Sequence, residues 1–239
     1  MGGEQGTEQR VADTRMITVS TFSRQASIWR QVAPTLEQFV RWANTNLHPA
    51  GEAVNIFGPA DRNPLIAEVG FRLAAAGFQP TPVPPPQLEA EARRMITGLP
   101  RGSAASESLQ AFEWHQAAAL SKAIRHFADA FSPAQFSPSV PGCGVVGAAV
   151  ADIISGSHLI EVKTVNRPFR GSDIRQVLTY SAMYYASGTT VDKMTIYNPR
   201  LGCAFSMPLN SVAAGVSGHS QVELMQDIVH YMTGMQVSA

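Results

Sequence analysis

The chain has 239 residues, 45% hydrophobic and 15% charged, with a formal net charge of zero. That length suits one large domain, or one domain with an inserted or appended lobe, and it can bury a real core. Neutrality argues against a protein that only coats nucleic acid, although a local basic patch would still serve. Two cysteines, Cys143 and Cys203, exclude a disulfide scaffold or an all-thiolate zinc site, and they read as reduced thiols of a cytoplasmic protein.

Residues 1–16 are polar and Gly-rich, with no apolar stretch of the kind a secretory signal carries, and read as a frayed tail. No window of about 18 apolar residues predicts a membrane span. From 17 to 136 the pattern is mainly helical. Ile17 to Phe22 reads as a short strand or extended lead-in. A helix capped by Ser23 or Ser27 is expected to run to Asn46, with Ile28, Val32, Leu36, Phe39, Val40 and Ala43 at helical spacing. Pro34 kinks or breaks it. A second helix spans Asn63 to Ala76, with Asn63 as cap, Pro64 in the first turn and Gly77 as stop.

The run PTPVPPP, Pro80 to Pro86, reads as an extended connector. A polar helix is predicted over Leu88–Thr97, a loop over 98–105, and a long helix over Ser106–Phe131. Prolines and glycines from Pro133 to Gly144 mark a break, within which a second region, 137–239, begins. There GVVGAAVADIIS reads as one strand region and HLIEVKTV as the next. A helix follows over Ser172–Ala186, capped by Ser172 or Asp173. Lys193–Tyr197 and Ala204–Leu209 form a second hairpin, and Ser220–Met232 a last helix.

The hairpin around Gly156-Ser157 carries the chemistry. A two-residue loop with Gly first suits a type II′ turn. It pairs Ser155 with His158, Ile154 with Leu159 and Ile153 with Ile160, which brings Asp152 opposite Glu161 on one face. Lys163, two residues further on, shares that face. Two carboxylates directly opposite each other destabilise a sheet unless a cation lies between them. The flanking Ile153, Ile154, Leu159, Ile160, Val162 and Val165 are apolar enough for a central sheet, where three unpartnered charges are costly. Mg²⁺ prefers one or two carboxylates, waters and phosphate oxygens. So placed, Asp152 and Glu161 suit a Mg²⁺ or Mn²⁺ ion, and Lys163 suits the orientation of a water and the charge developing on a phosphoryl group.

At these residues the chain resembles the PD-(D/E)XK nuclease superfamily. An acidic residue on one strand, Asp152, precedes Glu161-Val162-Lys163 on the next. The following helix carries Gln176-Val177-Leu178-Thr179-Tyr180, similar to the Gln-x-x-x-Tyr motif of the branch with recombination exonucleases and CRISPR adaptation nucleases. Ala151 stands where the family's name has proline. The resemblance covers about Val145 to Leu209. It implies a restriction-endonuclease-like α/β fold, with a mixed central sheet flanked by helices. It also implies Mg²⁺-dependent hydrolysis of nucleic acid, DNA in the first place, by Asp152, Glu161, Lys163, Gln176 and Tyr180.

In the same comparison Asn63–Ala76 is the first core helix, and Glu68 is a candidate metal ligand, with Glu113 on the long helix as the alternative. Residues from about Pro80 to Phe136 would then be a helical insertion.

Arg167, Arg170 and Arg175 make the segment after Lys163 locally basic, a candidate phosphate-binding patch. No pair of histidines has zinc spacing, and His158, at the turn, is expected to be exposed. Tyr184, Tyr185 and Tyr197 read as packing residues, as do Trp29, Trp42 and Trp114. The competing reading is a catalytically inactive module of this fold that binds nucleic acid or builds a larger, phage-related or homo-oligomeric assembly.

Overall fold

The computed structural model describes residues 16–77, 85–97 and 107–234. Short helices α1 (Val19–Ser23), α2 (Ala26–Val32) and α3 (Leu36–Thr45) lead in, followed by strand β1 (His48–Pro49). Helix α4 (Asn63–Ala76) follows a 3₁₀ turn, and α5 (Pro85–Thr97) and α6 (Ala111–Asp129) complete the helical half. Strands β2 (Gln135–Phe136), β3 (Ser139–Val140), β4 (Ala149–Val150), β5 (Ile153–Ser155) and β6 (His158–Val162) come next. The chain ends with α7 (Gly171–Ala186), β7 (Lys193–Asn198), β8 (Cys203–Pro208), α8 (Leu209–Ser217) and α9 (Gln221–Gly234).

The class is mixed α/β. Six strands form one sheet in the order β1-β8-β7-β6-β5-β2, and β3 and β4 pair separately. Within the large sheet β6 and β7 run parallel and the other pairs are antiparallel. A parallel pair needs a crossover, and α7 supplies it. Period-two alternation then sorts the side chains. Leu159, Met194, Ile196 and Phe205 pack with α1, α2, α3, α7, α8 and α9 on one face. Ile153, Ile160, Tyr197 and Ala204 pack with residues of α4 and α6 on the other. Phe127 of α6 stacks on Tyr197, with ring centroids 4.0 Å apart. Among the described residues no helix is long and apolar enough to cross a membrane.

Several sequence expectations are corrected. Ile17–Phe22 is not a strand: Val19–Ser23 is helical, because the Thr18 hydroxyl caps the Thr21 N–H and Ile17 makes only an isolated bridge to Val146. Neither Ser23 nor Ser27 caps α2; Gln25 holds that place without a side-chain bond. The chain does break at Pro34, separating α2 from α3. Asn63 is the first residue of α4 rather than its cap, and its Oδ1 is buried without a partner. Pro85 and Pro86 open α5, since a helix's first turn needs no N–H donor. The rest of the expected connector, 80–84, and the loop 98–105 lie outside the described residues. The long helix starts at Ala111, where Gln110 and Glu113 form a reciprocal capping box, and stops at Asp129.

GVVGAAVADIIS is two strands rather than one, because the chain bends at Asp152 and β4 turns away to pair with β3. Helix α7 is capped through the Asp173 carboxylate, which accepts the Arg170 N–H. Helix α8 was not foreseen. Trp42 is 44% exposed, set against Phe39 and Phe205 at one sheet margin. His158 is half-buried, with Nε2 2.7 Å from Thr195 Oγ1 and Phe131 edge-on to its ring. Burial, then Lys193, pulls its pKa down to about 4.

Gly144 is a point of close approach. Its φ is +54°, and a Cβ there would collide with the Met232 carbonyl near the end of α9. Left-handed backbone costs a non-glycine residue about 1–2 kcal/mol, and the collision must also displace α9. Gly144→Ala is therefore expected to lower the thermal midpoint by ~4–8 °C, the shift that about 2 kcal/mol produces in a chain of this size. A thermal melt followed by circular dichroism measures it.

Candidate active site

The expected hairpin register is present: Ser155 pairs with His158, Ile154 with Leu159 and Ile153 with Ile160. Gly156, first in the loop, has φ +56°. The ladder ends there, one step short of Asp152 and Glu161. Val162 N–H points toward β5, which has already turned away, and the Asp152 side chain takes that bond, with Oδ2 2.7 Å from the nitrogen. A buried N–H left without an acceptor is costly, so Asp152 replaces a missing strand partner. Its own carbonyl accepts the Ser137 N–H at 2.8 Å.

Glu161 is 3% exposed, on the face of β6 that α7 covers. Its Oε1 accepts from Lys163 Nζ at 2.8 Å, and the same ammonium donates to Gln176 Oε1 at 2.8 Å. Gln176 Nε2 donates to the Tyr180 hydroxyl at 3.3 Å, and Tyr180 donates to the Val150 carbonyl at 3.1 Å. The donors all run one way, from Lys163 to the end of β4, which fixes the Gln176 amide with its oxygen toward the cation. Gln176 and Tyr180 share one face of α7 because they are four residues apart. Five residues, Asp152 at a bend, Glu161 on β6, Lys163 just past it, and Gln176 and Tyr180 on α7, are thus joined by bonds or by charge.

The electrostatics are those of a charge cluster withdrawn from water. Burial raises the Asp152 carboxyl well above the usual carboxylate range, and the Glu161 charge adds to the rise. Lys163 and the Val162 N–H pull the other way without offsetting it. Burial alone would lower the Lys163 ammonium, but the Glu161 and Asp152 carboxylates outweigh it and the net direction is upward. Lys163 therefore stays cationic. Burial, helped by Glu161, also raises the Tyr180 phenol, which stays protonated.

Glu68 faces the same side of the sheet as Asp152's cavity. A cavity of about 520 Å³ is lined by Glu68, Phe71, Arg72, Val150, Asp152 and Thr164, among others. The Glu68 charge adds to the rise in Asp152, although Glu68 Oε1 itself accepts from Arg72 at 2.7 Å. Arg72 also reaches Glu91 of α5 at 3.1 Å. Sequence reasoning missed Arg72; its spacing of four from Glu68 was the available signal. Glu113 is elsewhere engaged, paired with Arg62 at 2.7 Å and accepting the Gln110 N–H.

Compared with protein-family models, curated proteins and solved structures, the chain matches none. The site therefore rests on its own geometry.

Among the described residues no three His, Cys, Asp or Glu side chains are gathered for a metal ion. Two carboxylates suffice for Mg²⁺ when water and phosphate complete the shell. Asp152 Oδ1 and Glu161 Oε2 take no hydrogen bond from the described residues, so each acid keeps one oxygen for a cation. Oxygen donors of this kind suit a hard divalent ion.

The three arginines do not form an open basic patch. Arg167 is held by both oxygens of Asp173, at 2.7 and 3.1 Å, and Arg175 pairs with Glu37 of α3 at 2.7 Å. Arg170 is exposed.

Proposed function

We propose that the chain is a divalent-metal-dependent phosphodiesterase acting on nucleic acid, DNA in the first place, built on a restriction-endonuclease-like core. The observation that carries the reading is the bonded series Glu161–Lys163–Gln176–Tyr180 beside a bent strand that presents Asp152. It joins the residues of the PD-(D/E)XK and Gln-x-x-x-Tyr patterns through side chains rather than through sequence alone. The element order supports it as well: Asp152 at the bend before β5, then β6 with Glu161, a helix with Gln176 and Tyr180, and a strand parallel to β6.

Asp152 and Glu161 would hold Mg²⁺ or Mn²⁺, with Glu68 as a further oxygen ligand if it leaves Arg72. Bound there, the ion would supply Lewis acidity to a phosphate and a more acidic water. Lys163, held by Gln176 and with its ammonium raised by the neighbouring carboxylates, would stabilise negative charge developing on phosphoryl oxygens. Gln176 fixes the direction of the Lys163 donor. Tyr180 ties α7 to the β4 carbonyl and acts as a positioning residue.

The second reading, a catalytically inactive module of a larger assembly, is favoured by one observation. Arg167 and Arg175 are engaged in ion pairs within the chain, and the whole chain is neutral. Metal titration separates the two. Mn²⁺ should bind the wild type by calorimetry, and Glu161→Gln should weaken binding at least tenfold. A wild-type chain that takes up no Mn²⁺ at millimolar concentration would leave the inactive module as the better account.

A further inference from the structure

A second cavity lies away from the carboxylates. A cleft of about 810 Å³ lies between α6 and the irregular chain from Ala50 to Phe57, with Tyr197 at its floor. This volume falls in the range of small-molecule sites, about 300–1,000 Å³. The loop wall is held by two buried side chains. Gln116 Oε1 accepts the Phe57 N–H at 3.1 Å while its Nε2 donates to the Phe57 carbonyl at 2.7 Å. Arg200 Nη1 donates to the Asn55 carbonyl at 2.9 Å.

On this fixed wall the Phe57 ring is nevertheless 62% exposed, and Phe112 on α6 is 42% exposed. Phe112 lies across Gly58, where a Cβ would come within 2.8 Å of its ring. Two aromatic rings presented to water at the mouth of a fixed cleft invite a planar partner.

The charge around the cleft selects among planar partners. His115, Lys122 and His126 lie along one side of α6, and the small Ala119 and Ala123 between them leave room. Arg200, 4% exposed, bonds only to carbonyl and amide oxygens of the described residues, and its Nε and Nη2 have no hydrogen-bond partner. Glu52 is the single carboxylate in the lining. Lys122 and the Arg200 charge behind the wall therefore outweigh it, and a positive cleft attracts an anion.

We propose that this cleft binds a nucleotide unit, its base stacked on Phe57 and Phe112 and its phosphate drawn to Lys122. The shared chemistry allows two sources, a free mononucleotide or the end of a single strand. The site shares no lining residue with the Asp152 cavity, so it stands without the hydrolytic reading.

The test is calorimetric titration of the full chain in EDTA with AMP, adenosine and a ten-residue oligodeoxyadenylate. AMP should bind, and adenosine at least tenfold more weakly. Phe57→Ala should cost about five- to a hundredfold, the range seen for loss of a base–aromatic stack. Lys122→Glu should cost tenfold or more, and Asp152→Asn should bind as the wild type does. Tighter binding of the oligonucleotide than of AMP makes the strand end the source; equal binding makes it the free nucleotide. Both support the proposal. It is overturned if neither binds at millimolar concentration, if adenosine equals AMP, or if the Phe57 and Lys122 variants bind unchanged. Self-association that Phe57→Ala abolishes would make a second copy the occupant and overturn it equally.

Discussion

Lys163→Ala is expected to keep its divalent-metal affinity, or tighten it, and yet to cleave on the order of 10²–10³-fold more slowly in single turnover. The two halves of this result have different causes. The Lys163 ammonium donates to Glu161 Oε1, so removing it frees a carboxylate oxygen for a competing cation. The slow rate follows because a charge acting on the transition state cannot be replaced by the ion's own ligands. A third effect accompanies them. Breaking a buried ion pair from one side costs about 3–5 kcal/mol at full burial. The cost is smaller here, since the Lys163 side chain is 16% exposed. The rate must therefore be read below the variant's own melting midpoint. Tyr180→Phe loses the bond to Val150 but no charge, and should be the mildest change in the series. If Lys163→Ala cleaves as fast as the wild type, the Lys163–Gln176 bond serves only to hold α7 on the sheet.

Asp152→Asn should make the metal-free protein more stable at neutral pH while removing its metal affinity. The folded Asp152 carboxyl holds its proton above the usual carboxylate range, because burial and the Glu161 charge both oppose ionisation. The folded chain then binds more protons than the unfolded chain between the ordinary carboxylate value and the raised folded one. Stability is fully present below the unfolded value and is lost as pH rises through the folded value. Wild-type protein in EDTA should therefore melt at progressively lower temperature across that window. Asparagine keeps an acceptor for the Val162 N–H but carries no charge, so its melting curve should lack this slope and lie higher at neutral pH. Saturating Mn²⁺ should raise the wild-type midpoint and leave the variant's unmoved. Identical pH slopes in the two proteins would show that Asp152 ionises freely and is a strand cap with no stored charge.

The hairpin was legible in the sequence because its determinants are local. Gly156-Ser157 fixes the loop length and loop length fixes register, but the ladder stops at Ile153 and Ile160, so the expected direct pairing of Asp152 with Glu161 does not form. Gln176 and Tyr180 were singled out by their resemblance to the Gln-x-x-x-Tyr motif, and a spacing of four puts them on one face of α7. What escaped was set by distant chain. The bend at Asp152, which exchanges a backbone ladder bond for a carboxylate, depends on β4 finding β3. The arginines looked free because Glu37, which neutralises Arg175, lies 138 residues away. His158 looked exposed at its turn because Phe131 and Thr195, which cover it, come from other elements. Helix α8 was hidden by its composition: Leu209–Ser217 continues the apolar run of β8, and no cap separates them.

The proposed chemistry is hydrolysis of phosphodiester bonds by these side chains. The most direct measurement is incubation of the wild-type chain with end-labelled single- and double-stranded DNA and RNA, with Mn²⁺ or with EDTA, beside Lys163→Ala. Cleavage of DNA with Mn²⁺, abolished by EDTA and reduced on the order of 10²–10³-fold in the variant, is the predicted result. Intact substrates in every lane, from a wild-type protein shown to be folded and loaded with Mn²⁺, would contradict it.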